Sequence, residues 1–247
     1  MTTEPRRSTK IVATLGPACE NPRMIQKLID EGVNLFRLNF SHGSAGQHRN
    51  NVNNIRSAAE ASGVRVGILQ DLQGPKIRVG GFAENQVTLE PGQAFELRCQ
   101  DDKPGDSSGV SISYSGLCAD MQVGDTILLD DGKIRLQVIE ARPDKLVTRV
   151  IIGGILSNNK GINVPSADLS LAAMTEKDIQ DLALGATLGV DWVALSFVRH
   201  VDDLKLARHY LDLHKSSAKL MAKIEKPSAV ENFSQILREA DGIMVAR

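Results

Sequence analysis

The chain has 247 residues, with 29 Lys plus Arg against 30 Asp plus Glu and a formal net charge of −1. Hydrophobic residues make up 42% and charged residues 24%, which excludes a disordered tail, a collagen-like chain and a disulfide mini-protein. A balanced charge argues against a dedicated nucleic-acid binder, whose affinity would come from clustered Lys and Arg. The length suits one large α/β barrel or two smaller domains. Cys19, Cys99 and Cys118 make neither an even disulfide framework nor a Cys-x-x-Cys pair, so plain reduced thiols in a reducing, cytoplasmic compartment are expected. No apolar run reaches the roughly 18 residues that a membrane span needs. The first ten residues, MTTEPRRSTK, hold no apolar signal core.

Along the chain three blocks follow one another: 1–74, 75–168 and 169–247. In the first, Thr9–Leu15 reads as a strand ended by Gly16-Pro17. Asn21 can cap a helix with Pro22 at its first position, running to about Glu31 before Gly32 stops it. Asn34–Phe40 is a second strand, Gln47–Ser62 a helix closed by Gly63, and Val64–Leu72 a third strand. Such alternation predicts a parallel sheet with right-handed crossovers. The second block holds no convincing helix. Its short alternating runs, Gln86–Leu89, Ala94–Arg98, Thr126–Leu129, Ile134–Ala141 and Lys145–Ile152, are separated by turn signals, with Asp130-Asp131-Gly132 a hairpin signal. A small antiparallel β domain inserted into an α/β chain is expected.

In the third block Thr175 and Asp178 are spaced like a capping box. Then follow a strand at Trp192–Phe197, a helix at 201–215, a strand at Lys219–Ile224, a helix at Ser228–Glu239 and a strand at Gly242–Ala246. The sum is six parallel-type strands, whereas a closed (β/α)8 TIM barrel needs eight. The expectation is therefore the N-terminal part of a longer barrel chain, with a six-stranded open sheet as the alternative.

Buried parallel strands should be nearly continuous apolar runs. Here Arg37, Asn39 and Ser41 alternate with Phe36, Leu38 and Phe40, and Lys223 and Glu225 share one side of their strand. Period two sends each set to one face. Asn39, Asp71, Lys223 and Glu225 should converge at the carboxyl rim, where such barrels place active sites. Arg37 and Lys223 suit phosphate or carboxylate, while Asp71 and Glu225 suit a hard cation. An anionic, phosphorylated substrate held by Arg, Lys and Mg²⁺ is what these residue types suggest.

Six segments together resemble the pyruvate kinase family: Thr9–Pro17, Arg37-Leu38-Asn39-Phe40-Ser41-His42-Gly43, Asp71–Arg78, Lys160–Pro165, Ala222-Lys223-Ile224-Glu225 and Gly242–Arg247. The resemblance implies phosphoryl transfer from phosphoenolpyruvate to ADP, giving pyruvate and ATP. By it Arg37 would bind the substrate phosphoryl group and Lys223 would stabilise the transferring phosphoryl and the enolate. Glu225 would hold Mg²⁺ (or Mn²⁺), and Ala246 and Arg247 would help seat the substrate carboxylate. Asn39, Ser41, Asp71 and the carbonyl of Leu72 would form a monovalent-cation (K⁺) site. Asn39, His42, Arg78 and Lys160 would serve the nucleotide. The family pattern continues with Gly-Asp-Leu-Gly, which supplies a second Mg²⁺ ligand, so the 247-residue chain alone is expected to lack turnover. Lys76, where potassium-dependent members carry Glu, is similar to the potassium-independent subset and could replace K⁺ in function. A cytoplasmic homotetramer is implied for the parent enzyme, with no nucleic-acid or membrane partner. Two alternatives remain: a Mg²⁺-dependent carbon–carbon lyase barrel acting on pyruvate-like acids, and a non-catalytic fragment.

Overall fold

The structure, a computed structural model, describes residues 8–101, 103–165 and 169–246. The elements run β1 (Val12–Thr14), α1 (Pro22–Asp30), β2 (Leu35–Asn39), α2 (Ala45–Ser62), β3 (Gly67–Asp71), β4 (Gln86–Leu89), β5 (Ala94–Arg98), β6 (Gly109–Ser111), α3 (Leu117–Asp120) and β7 (Thr126–Leu129). They continue with β8 (Ile134–Ala141), β9 (Lys145–Ile152), β10 (Gly154–Ser157), β11 (Ile162–Asn163), α4 (Glu176–Leu188), β12 (Trp192–Leu195), α5 (Val201–Leu213), β13 (Lys219–Ile224), α6 (Pro227–Glu231), α7 (Phe233–Glu239) and β14 (Gly242–Val245). Two compact units result: residues up to Gly74 with those from Ala173 onward, and Pro75–Ala172.

In the first unit six parallel strands lie in the order β1-β2-β3-β12-β13-β14. The order follows the chain without reversal, and α1, α2, α4, α5 and α7 pack each against the next. One ring of helices outside a sheet that never reverses is barrel progression; an open doubly wound sheet reverses and carries helices on both faces. This decides against the open-sheet alternative. Phe36, Leu38, Ile68, Val193, Leu195, Leu220 and Ala222 belong to the core shared with the helices. The opposite, inward face carries Arg37, Asn39, Asp71 and Lys223 at alternate positions.

Local signals set the helix ends. Asn21 accepts from the Met24 N–H at 2.9 Å, and Pro22 opens α1. The capping box is present: the Asp178 N–H reaches Thr175 Oγ1 at 3.1 Å and the Thr175 N–H reaches Asp178 Oδ2 at 2.9 Å. Asp178 is fully buried, and its Oδ1 also accepts from the Gly74 N–H at 3.0 Å, which fixes the loop after β3.

The second unit has a six-stranded sheet, β11-β7-β8-β9-β5-β6, and a separate ladder of β4 with β10. Its β5–β6 pairing is parallel, so the unit is not wholly antiparallel as expected. The Asp130-Asp131-Gly132 turn joins β7 to β8 with all three residues at positive φ. Four further expectations change. The short helix α3 stands where none was expected; four residues are too few to show a period. The unit's end moves from 168 to 172, because Leu169 and Leu171 pack on its core and Ser170 bonds Asp120. The helix expected at 228–239 breaks at Asn232, whose side-chain amide donates to the Ser228 carbonyl at 3.0 Å and competes with a continuous helix. Cys99 and Cys118 are not separate thiols: the turn leading into α3 brings their Cα atoms to 6.2 Å and they form a disulfide, leaving Cys19 free. An odd cysteine count had hidden one pair.

Candidate active site

Four charged side chains meet at the carboxyl ends of β2, β3 and β13. Asp71 is buried at 1% exposure, a position a carboxylate keeps only when paired. Its Oδ2 accepts from Arg37 Nε at 2.7 Å and lies 2.6 Å from the second Arg37 nitrogen, a close fork on one oxygen. Lys223 Nζ donates to Asp71 Oδ1 at 3.1 Å and lies 3.4 Å from Glu225 Oε1. Arg37 also donates to Thr14 Oγ1 at 3.1 Å, so β1 supports the same group. Two cations balance two carboxylates. The guanidinium remains a quarter exposed at the rim, while the ammonium is almost enclosed.

Register explains the meeting. Asn39 is paired with Asp71 across β2–β3, and Asp71 with Ala194 across β3–β12. Partners in a parallel ladder point to the same face, so residues two positions further along β12 and β13 follow them inward. Ser196 is one of these, and it was missed from sequence. Buried at 2% exposure, it donates from Oγ to the Leu72 carbonyl and accepts from Lys223 Nζ, each at 2.7 Å. Applying the period-two test of β2 and β13 to Trp192-Val193-Ala194-Leu195-Ser196 would have found it. Phe197 donates its N–H to Glu225 Oε2 at 2.8 Å, so both oxygens of Glu225 are oriented by neighbours.

The loop after β2 carries Ser41 and His42. Asn39 Oδ1 accepts from the Ser41 N–H at 3.1 Å. The His42 side chain is exposed, and its carbonyl accepts from His48 Nε2 at 3.0 Å. His48 is buried, stacked on Phe40 with ring centroids 3.8 Å apart, and burial pushes its pKa below the ordinary value. The Lys177 ammonium donates to the Phe40 carbonyl at 2.9 Å, closing the loop from α4. Ala246 follows β14 directly; Arg247 lies outside the described residues.

Lys76, Arg78 and Lys160 belong to the second unit and gather there. Arg78 bridges Gly161 in antiparallel fashion and donates to the Asn159 carbonyl at 2.9 Å. Lys160 pairs with Asp130 at 2.8 Å, which also receives Lys133 at 2.8 Å. Those two lysines hold the Asp130 carboxyl below the usual carboxylate range. The exposed Lys76 lies along Gly161.

Among the described residues no group of three or more His, Cys, Asp and Glu could hold a metal unaided. Glu225 still suits Mg²⁺, which is commonly held by one or two carboxylates together with substrate phosphates.

Residues 6–247 match the family model described as the pyruvate kinase barrel domain. The chain belongs to the pyruvate kinase family. Pyruvate kinase from Buchnera aphidicola of Acyrthosiphon pisum is 44% identical over 245 residues, covering 98% of this chain and 51% of the relative. Pyruvate kinase II of Salmonella typhimurium is 45% identical, with the same coverage. The crystal structure of a pyruvate kinase from Cryptosporidium parvum superposes with a TM-score of 0.93 at 36% identity, over 97% of this chain and 50% of that one. The chain thus spans about half the length of the pyruvate kinases it matches. Among the described residues no helix is long and apolar enough to cross a membrane.

Proposed function

We propose that the protein carrying this chain transfers the phosphoryl group of phosphoenolpyruvate to ADP, in the cytoplasm and as a homotetramer. The observation that carries this reading is the buried Lys223 ammonium held between Asp71, Ser196 and Glu225, with the Arg37 guanidinium sharing Asp71 at the open rim. Phosphoryl transfer needs positioning and cationic stabilisation more than covalent chemistry from the protein. Arg37 has donors left over from Asp71 and Thr14 to grip the phosphoryl oxygens. Lys223 faces the charge that develops on the transferring group and the enolate, in a site where water is scarce and a fixed cation counts for most. Mg²⁺, on Glu225 and the phosphates, would supply further neutralisation of phosphoryl charge. Ala246 would help seat the substrate carboxylate, and the resemblance gives Arg247 the same role. Asn39 and His42 would serve the nucleotide.

Asn39, Ser41, Asp71 and the Leu72 carbonyl would offer oxygens to a monovalent cation. Arg37 and Lys223 already neutralise Asp71, which supports a site that works without K⁺. The test is pyruvate formation by the intact protein from phosphoenolpyruvate with Mg²⁺, coupled to lactate dehydrogenase. Formation strictly dependent on ADP supports the reading. No pyruvate with ADP present refutes it.

A further inference from the structure

We propose that Ser196 is a positioning residue for Lys223, locking the ammonium to the backbone of the loop after β3. The proposal rests on Lys223 being the cation that meets the transferring phosphoryl group. A carbonyl has no proton and an ammonium no lone pair, so the direction of both bonds at Ser196 is fixed. The hydroxyl donates to the Leu72 carbonyl and accepts from Lys223, and cannot turn to serve anything else. Lys223 has three protons. Asp71 receives one at 3.1 Å and Glu225 lies at ion-pair distance, 3.4 Å, and both carboxylates carry charge that neutralises the ammonium. Ser196 takes another without neutralising it, at 2.7 Å the shortest of the three contacts, which leaves a proton for the phosphoryl group.

The backbone around Ser196 is built for this contact. Phe197 sits at φ 56°, a region that bulky residues enter at a cost of about 1–3 kcal/mol. The bend aims two successive groups, the Ser196 hydroxyl and the Phe197 N–H, at Lys223 and Glu225. Gly74, at φ 69°, lets the loop after β3 press against the bend: a Cβ there would lie 2.9 Å from Ser196 Cβ and from the Phe197 ring. The Gly74 N–H is in turn held by buried Asp178. Lys223 is thereby tied to three strands, through β13 itself, Ser196 just after β12 and Leu72 just after β3.

The test uses the intact protein with Ser196→Ala and Ser196→Thr, read by steady-state kinetics, melting temperature and ¹⁵N-lysine NMR, with Lys223→Met assigning the Lys223 signal. A hydrogen bond to a charged group corresponds to a factor of about 10–100, so Ser196→Ala should lower kcat by that much. The KM for phosphoenolpyruvate should change less than about threefold, because Arg37 keeps its grip. Ser196→Thr should recover kcat wherever its methyl is accommodated. The Lys223 ammonium should exchange slowly with water in the parent and quickly in Ser196→Ala, with other lysines unchanged. Parental kcat and an unaltered Lys223 signal in Ser196→Ala would overturn the proposal, as would a collapse of melting temperature that alters all lysines alike. A parent that makes no pyruvate would refute the reaction instead, while the lysine signal would still decide whether Ser196 holds Lys223.

Discussion

Replacing Lys223 with Met keeps an unbranched apolar stem, one atom shorter, and removes its charge. Asp71 keeps two Arg37 contacts at 2.7 and 2.6 Å, so no buried carboxylate is left alone. The loss of stability should therefore be that of hydrogen bonds to a charged group, about 1.5–3 kcal/mol, and not the 3–5 kcal/mol of an orphaned buried charge. The catalytic effect should be larger. Removing one electrostatic group from a preorganised site costs about 10²–10³ in kcat. Substrate binding should fall far less, because Arg37 stands at the rim and is not displaced. Steady-state kinetics at saturating ADP and Mg²⁺, with a denaturant titration beside them, separate the two effects. A near-normal kcat with a raised KM would assign Lys223 to ground-state binding and refute the reasoning.

Gly185 of α4 lies against buried Gln70 of β3, whose amide donates to the Asp181 carbonyl at 2.6 Å; a Cβ at Gly185 would fall 2.6 Å from the Gln70 carboxamide carbon. Gly185→Ala should destabilise by about 1 kcal/mol net, overpacking outweighing the helix preference for Ala, and adding Gln70→Ala should restore part of it in a urea titration. His48 holds its proton less tightly folded than unfolded, so stability should decline as pH falls below about 6.5 and His48→Asn should flatten that slope in melting curves. A parent indifferent to K⁺ at fixed ionic strength, with K⁺ activation appearing in Lys76→Glu, is the expected outcome for Lys76. A parent that needs K⁺ would reduce Lys76 to a hinge charge.

Where polar residues interrupt an otherwise apolar strand, the sequence states its own geometry. Arg37 and Asn39 in β2, and Lys223 with Glu225 at β13, could be placed on one face because period two leaves no other choice. Ser196 escaped because one hydroxyl at the end of an apolar strand looks like ordinary termination, and its value lies in partners 27 and 124 residues away. The Cys99–Cys118 pair escaped for the same reason, since the contact is made by tertiary packing of a four-residue helix. The strands β6, β10 and β11 span two to four residues each, too short for alternation to register. The boundary near 170 blurred because Leu169 and Leu171 are apolar in a segment whose composition resembles either neighbour.

The most direct measurement is ³¹P NMR of the intact protein with phosphoenolpyruvate, ADP and Mg²⁺, recorded for the parent and for Lys223→Met. The expected result is one ATP γ-phosphate gained for each phosphoenolpyruvate lost in the parent, and a rate lower by about two orders of magnitude in the variant. Unchanged phosphoenolpyruvate in the parent, or its phosphate released without ATP, would contradict the account.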